Sequence, residues 1–164
     1  MDLYILRHGK AGQSFNRPGD SERKLTADGR SEMRKVARWI RGKKIRFDVI
    51  ATSPLARAKE TAEIVARVLK EKEKLEIWDD LSPAGDPDTV FSKAGEYDTE
   101  ASVLIVGHEP ALSHMIGKII TRGDTASVIL AKGGMAKIRN YEFKSNPSGD
   151  LQWLLTPRQM SEMQ

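Results

Sequence analysis

Three short apolar runs, rich in β-branched residues, constrain this chain more than any other feature: DLYIL at residues 2–6, FDVIA at 47–51 and SVLIV at 102–106. They are continuously hydrophobic rather than alternating, the pattern of strands covered on both faces. The segments between them carry helical periodicity. Met33, Val36, Ala37 and Ile40 repeat at i, i+3, i+4, i+7 behind a candidate N-cap at Thr26. Ala58, Thr61, Ala62, Val65, Val68 and Leu69 form a second stripe, with Ser53 expected as cap and Pro54 as first helical residue. Leu112, Met115, Ile116, Ile119 and Ile120 form a third, starting at Pro110. Strands alternating with helices predict an α/β fold, a three-layer domain with a mostly parallel central sheet and helices on both faces.

Further along, a short helix is expected after Asp86-Pro87. Strands are expected at 127–131, 135–143 and 151–155, with a turn in KSNPSG at 144–149. At 164 residues, without internal repeats or linkers, residues 1–164 read as a single domain able to bury a core. No run approaches the roughly 20 apolar residues of a membrane span, and the short apolar stretch Leu3–Leu6 is no signal segment. The chain has no cysteine, which excludes a disulfide frame and thiolate chemistry. These features predict a cytoplasmic protein. The net charge of +4 includes eight cations between Arg30 and Arg46. On an amphipathic helix these read as a solvated face rather than a nucleic-acid surface, and they would steer an acidic protein partner.

In open α/β sheets ligands bind beyond the carboxyl ends of the strands. The first run ends on Arg7, His8 and Gly9, and the last on Gly107 and His108, so two of the three histidines lie just past strand ends. The second run leads to Arg57, about one turn into its helix. Taken singly, each has a plain explanation: a surface imidazole at a strand end, a solvated helix arginine, a helix cap. Taken together they assemble an oxyanion site, because helix N-termini and planar guanidinium forks both favour phosphate oxygens. His114 fits no strand end and reads as structural or exposed.

LRHGKA, TSPLARAKETA and VGHEP resemble, in order and spacing, the three signature blocks of the histidine phosphatase, or phosphoglycerate mutase-like, superfamily. RKLTADGR at 23–30, LSPAGDPDTV at 81–90 and WLLTPRQM at 153–160 extend the resemblance to its compact SixA-type phosphohistidine phosphatase group. The resemblance implies that His8 is a nucleophile forming a phosphohistidine enzyme intermediate, with Arg7, Arg57 and His108 around the phosphoryl oxygens. It implies that Gly9 lets backbone approach the transferring group, that His108 acts most strongly when protonated, and that no metal or cofactor is required. Ser14 and Arg23, in the loop at 10–25, are further candidates for substrate binding.

The sequence departs from the wider superfamily at one point. Where other branches place a glutamate to protonate a leaving alkoxide, this chain has Ser82-Pro83, with Asp79, Asp80 and Asp86 nearby. A protonated phosphohistidine needs less help, since its imidazole leaves neutral with a conjugate-acid pKa near ~6.5. The expected substrate is therefore phosphohistidine on a signalling or phosphorelay protein, with no nucleic acid or membrane as partner. The alternatives are a small-molecule phosphomonoesterase using Asp80 or Asp86 as acid, and a non-catalytic phosphoprotein-binding module. Retention of His8 opposes the last.

Overall fold

The apolar runs form the three innermost parallel strands of the sheet in a computed structural model that describes residues 1–12 and 19–163. These are β1 (Asp2–Arg7), β2 (Val49–Thr52) and β4 (Ser102–Gly107), joined on the β2 side by a three-residue edge strand, β3 (Leu75–Ile77). On the other side, β5 (Met135–Phe143) runs antiparallel to β1, and β6 (Pro147–Leu155) antiparallel to β5. Among the described residues the order is β3-β2-β4-β1-β5-β6. Because side chains alternate faces along a strand, each run feeds two cores. Leu3, Ile5, Val49, Ala51, Val103 and Ile105 pack under α3 (Pro87–Gly95) and α4 (Ala111–Thr121). Tyr4, Leu6, Ile50, Leu104 and Val106 pack under α1 (Ala27–Gly42), α2 (Ala56–Leu69) and α5 (Pro157–Glu162). Both faces of the strands are dry, which is why the runs contain no polar alternation.

The caps that start the helices are local and explicit. Thr26 accepts the Gly29 amide at the start of α1, and Asp86 accepts the Asp88 amide ahead of Pro87 in α3. The second helix differs from the sequence reading. Its first residue is Ala56, not Pro54, because the Ser53 amide still bonds to the Val106 carbonyl and prolongs the sheet ladder. The Ser53 hydroxyl caps the turn instead, accepting the Leu55 amide. Residues 127–131 are not a strand. The edge of β1 that they would pair with is taken by β5, and the segment serves as a loop whose buried Leu130 offers its carbonyl to Arg7. The edge strand β3 had no signal, being three residues long and partly exposed. The hairpin bend is shorter than KSNPSG, and Pro147–Gly149 already belong to β6. Among the described residues, no helix is long and apolar enough to cross a membrane.

The chain beyond β1 is clamped by the start of α1. The Thr26 amide donates to the Lys10 carbonyl at 2.9 Å, and a methyl group on Gly29 would collide with that same carbonyl. Gly29→Ala is therefore expected to lower unfolding free energy in urea by about 1–3 kcal/mol, the usual cost of overpacking. Gly42→Ala, where an added methyl meets nothing within 4 Å, should leave stability unchanged or raise it by up to about 1 kcal/mol. Equal losses at both positions would contradict the clamp.

Candidate active site

Parallel register brings the ends of three adjacent strands level. Arg7 of β1 stands beside Gly107 of β4, and Thr52 of β2 beside Val106, so His8, Ser53 and His108 leave the sheet side by side. The His8 amide donates to the Gly107 carbonyl, and the two imidazole rings lie 5.1 Å apart between centroids. His8 Nδ1 is 2.7 Å from the Gly9 carbonyl oxygen. A carbonyl only accepts, so Nδ1 carries the hydrogen and Nε2 keeps its lone pair. That lone pair faces Arg57, whose Nε donates to it at 3.3 Å. Gly9 is itself fixed: its amide donates to Thr61 Oγ1, and a Cβ there would strike Met33. The absence of a side chain at Gly9 thus serves packing against α1, and its amide is already engaged.

Arg57 is buried, and from the first turn of α2 its fork spans the pocket. Arg7 Nη1 donates to the Leu130 carbonyl at 2.9 Å, while its buried Nε has no partner among the described residues. His108 Nε2 lies 2.8 Å from Ser53 Oγ. Ser53 Oγ also accepts the Leu55 amide; when its hydroxyl donates to His108 Nε2, the ring hydrogen sits on Nδ1. His108 Nδ1 is buried and without a partner among the described residues. Arg7 Nε is thus an unused donor, and His108 Nδ1 a second one in that tautomer, both matched to the acceptor oxygens of a phosphoryl group.

Four of the residues expected at the site, Arg7, His8, Arg57 and His108, meet in this pocket. Arg23 lies at its rim, with Nη1 on the Gly12 carbonyl and a short ion pair, 2.7 Å, to Asp20. Ser14 lies outside the described residues. His114 is exposed on α4, and the two suspected acids are committed elsewhere: Asp80 pairs with Lys93 at 3.3 Å, and Asp86 caps α3 and accepts the Thr89 hydroxyl. Two participants had escaped the sequence reading. Ser53 was legible only as a cap, and Asp20 carried no signal, because nothing in a loop sequence says which acid turns inward.

Burial dominates the electrostatics. It pushes the His8 imidazole down to about 4, opposed by the bond to Gly9 and assisted by the Arg57 and Arg7 charges. Burial likewise pushes His108 down to about 3, with His8 and Arg57 adding to the effect. Desolvation and like charge thus hold the His108 imidazole below its ordinary range; the expectation that it is protonated concerns a phosphate beside it, whose charge acts in the opposite direction. In the Nδ1–H tautomer the neutral ring donates all the same. A tetrahedral anion would meet the guanidiniums of buried Arg57 and half-buried Arg7, the His108 imidazole and the unprotonated Nε2 of His8.

The sheet and its covering helices form a phosphoglycerate mutase-like fold, with this pocket at the strand ends. The model of the histidine phosphatase superfamily (branch 1) matches residues 3–83. Phosphohistidine phosphatase SixA of Escherichia coli (strain K12) is 28% identical over 159 residues, spanning 96% of this chain and 94% of that protein. A solved structure of the protein histidine phosphatase SixA complexed with tungstate superimposes with a TM-score of 0.84 at 29% identity, covering 96% of this chain and 98% of the other. Phosphoserine phosphatase from Entamoeba histolytica, solved with 3-phosphoglyceric acid, shares the fold with a TM-score of 0.67 at 16% identity, over 97% and 98% of the two chains. These similarities together support a phosphatase enzyme of the histidine phosphatase superfamily.

The two depressed imidazoles make stability depend on pH. Between the ordinary histidine value near 6.5 and their folded values of about 4 and about 3, the unfolded chain binds more protons than the folded one. Stability therefore rises with pH across that window and is lost on acidification through it. Each tenfold difference in proton affinity is worth about 1.4 kcal/mol and the two rings add, so a loss on the order of 3–4 kcal/mol is expected between pH 7 and pH 5. The double variant His8→Asn with His108→Asn should flatten this slope in thermal melts. An equally steep loss in the double variant would contradict the assignment.

Proposed function

We propose that the protein removes phosphate from phosphohistidine on a signalling or phosphorelay protein, without a metal, through a phosphorylated His8. The observation that carries this reading is the fixed tautomer of His8, with Nδ1 on the Gly9 carbonyl at 2.7 Å and Nε2 facing Arg57 at 3.3 Å. His8 Nε2 attacks phosphorus in line, the substrate P–N bond breaks, and its electron pair leaves with the substrate imidazole. Arg7, Arg57 and His108 surround the non-bridging oxygens, and the positive charge they supply does the work that a cation does in other phosphoryl-transfer sites. As the phosphoryl group arrives, its negative charge raises the proton affinity of His108, which is neutral beforehand. Water then hydrolyses the phosphohistidine on the enzyme.

The substrate class rests on the leaving group. An alkoxide needs a proton, and the nearby carboxylates Asp80 and Asp86 are tied to Lys93 and to the start of α3. A phosphohistidine ring that carries a proton on its other nitrogen leaves as neutral imidazole without such help. The similarity to a relative named as a phosphohistidine phosphatase points the same way. Nothing in this chemistry calls for a nucleic acid, a membrane or a cofactor.

The expected kcat/KM for a phosphohistidine-bearing protein exceeds that for a panel of sugar phosphates by at least about a hundredfold. That is about 2.7 kcal/mol, within the range one missing general acid accounts for. A chelator should change neither number. Equal rates on sugar phosphates would overturn the substrate class, and activity lost to chelator and restored by a divalent metal would overturn the metal-free chemistry.

A further inference from the structure

Asp20 is the carboxylate that contacts the pocket, and the role of His8 as nucleophile gives it no task. Its Oδ2 accepts from Arg57 Nη2 at 3.1 Å, and its backbone carbonyl accepts from Arg57 Nη1 at 2.8 Å. Its Oδ1 accepts from Arg23 Nε at 2.8 Å, and Arg23 is anchored in turn on the Gly12 carbonyl at 2.9 Å. The side chain is 56% exposed and makes no capping bond within its own 3-10 turn, Asp20–Glu22, so local structure does not require it. Asp20 is also the acidic group whose charge acts on His108. The two arginines aim one solvent-accessible carboxylate at the fork that would hold the phosphoryl group.

We propose that Asp20 is the general base of the second half-reaction, accepting the proton of the water that hydrolyses phosphorylated His8. The proposal rests on the reading of His8 as nucleophile. The phosphoryl oxygens take over the Arg57 donors, while the bonds from Arg23 keep the carboxylate at the pocket mouth. The water oxygen forms a new bond to phosphorus as the P–Nε2 bond breaks, and that electron pair returns to His8. The water proton passes to Asp20 Oδ2, phosphate departs, and Asp20 releases the proton to solvent. Arg23, and after it Arg57, hold this carboxyl below the usual carboxylate range, so at neutral pH it is a base and not an acid. The same feature accounts for selectivity: an ionised Asp20 serves water attack and cannot protonate an alkoxide.

The test separates the two half-reactions. Rapid quench with 4-nitrophenyl phosphate, whose leaving group needs no acid, measures formation and hydrolysis of the phosphoenzyme in wild type, Asp20→Asn and Asp20→Glu. In Asp20→Asn, hydrolysis is expected to fall at least about tenfold more than formation, the lower end of general-base effects, so phosphoenzyme accumulates. Asp20→Glu should restore much of the hydrolysis, which a merely structural role would not allow. Hydrolysis at the wild-type rate in Asp20→Asn, or an equal fall in both half-reactions, overturns the proposal while leaving His8 as nucleophile. Absence of any phosphoenzyme in the wild type overturns the nucleophile and the base together.

Discussion

The hydrogen bond from His8 Nδ1 to the carbonyl of Gly9 decides which nitrogen is available for chemistry, and much of the surrounding structure serves to hold that carbonyl still. The Gly9 amide is bonded to Thr61 on α2, and its Cα packs against Met33 on α1. The next residue, Lys10, is held through its carbonyl by the cap of α1. On the sheet side, His8 is bonded to Gly107, and its carbonyl accepts from Gly133 at 3.1 Å. A ring nitrogen is therefore oriented by two helices and the sheet at once, which is the preorganisation that phosphoryl transfer needs when most of catalysis is positioning.

The second constraint is charge. Burial keeps both imidazoles neutral, with Arg57 adding to the effect on each and Arg7 on His8, and neutrality suits each differently. On His8 it leaves a lone pair on Nε2. On His108 a hydrogen bond from the Ser53 hydroxyl to Nε2 would leave the hydrogen on Nδ1, so that even the uncharged ring would offer a donor. The site thus has its positive charge concentrated on two guanidiniums, beside a His8 Nε2 that stays unprotonated across neutral pH.

Much of this was legible because the informative residues are tied to regular structure. A continuous apolar run announces a doubly covered strand, and the residues just after it must emerge at the strand end; hence Arg7, His8 and His108. Arg57 was readable from the helical stripe of α2. The parts that escaped depend on contacts between segments far apart in the chain. Ser53 looked like a helix cap and is one for the turn, but its partner His108 is 55 residues away. Residues 127–131 have the composition of a strand, yet the edge they need is filled by β5, and the segment is drawn to Arg7 instead. Asp80 and Asp86 were close in sequence to the expected acid position, while the carboxylate that reaches the pocket, Asp20, comes from a loop with no periodicity to read.

The central claim is that the folded protein holds His8 neutral, with hydrogen on Nδ1 and a bare Nε2. Nitrogen NMR of the ¹⁵N-histidine-labelled protein, monitored over a pH titration, tests it directly. The account predicts for His8 a protonated Nδ1 and an unprotonated Nε2 at pH 7, with the ring gaining its second proton only near about 4. A His8 that is doubly protonated at pH 7, or that carries its single hydrogen on Nε2, would contradict it.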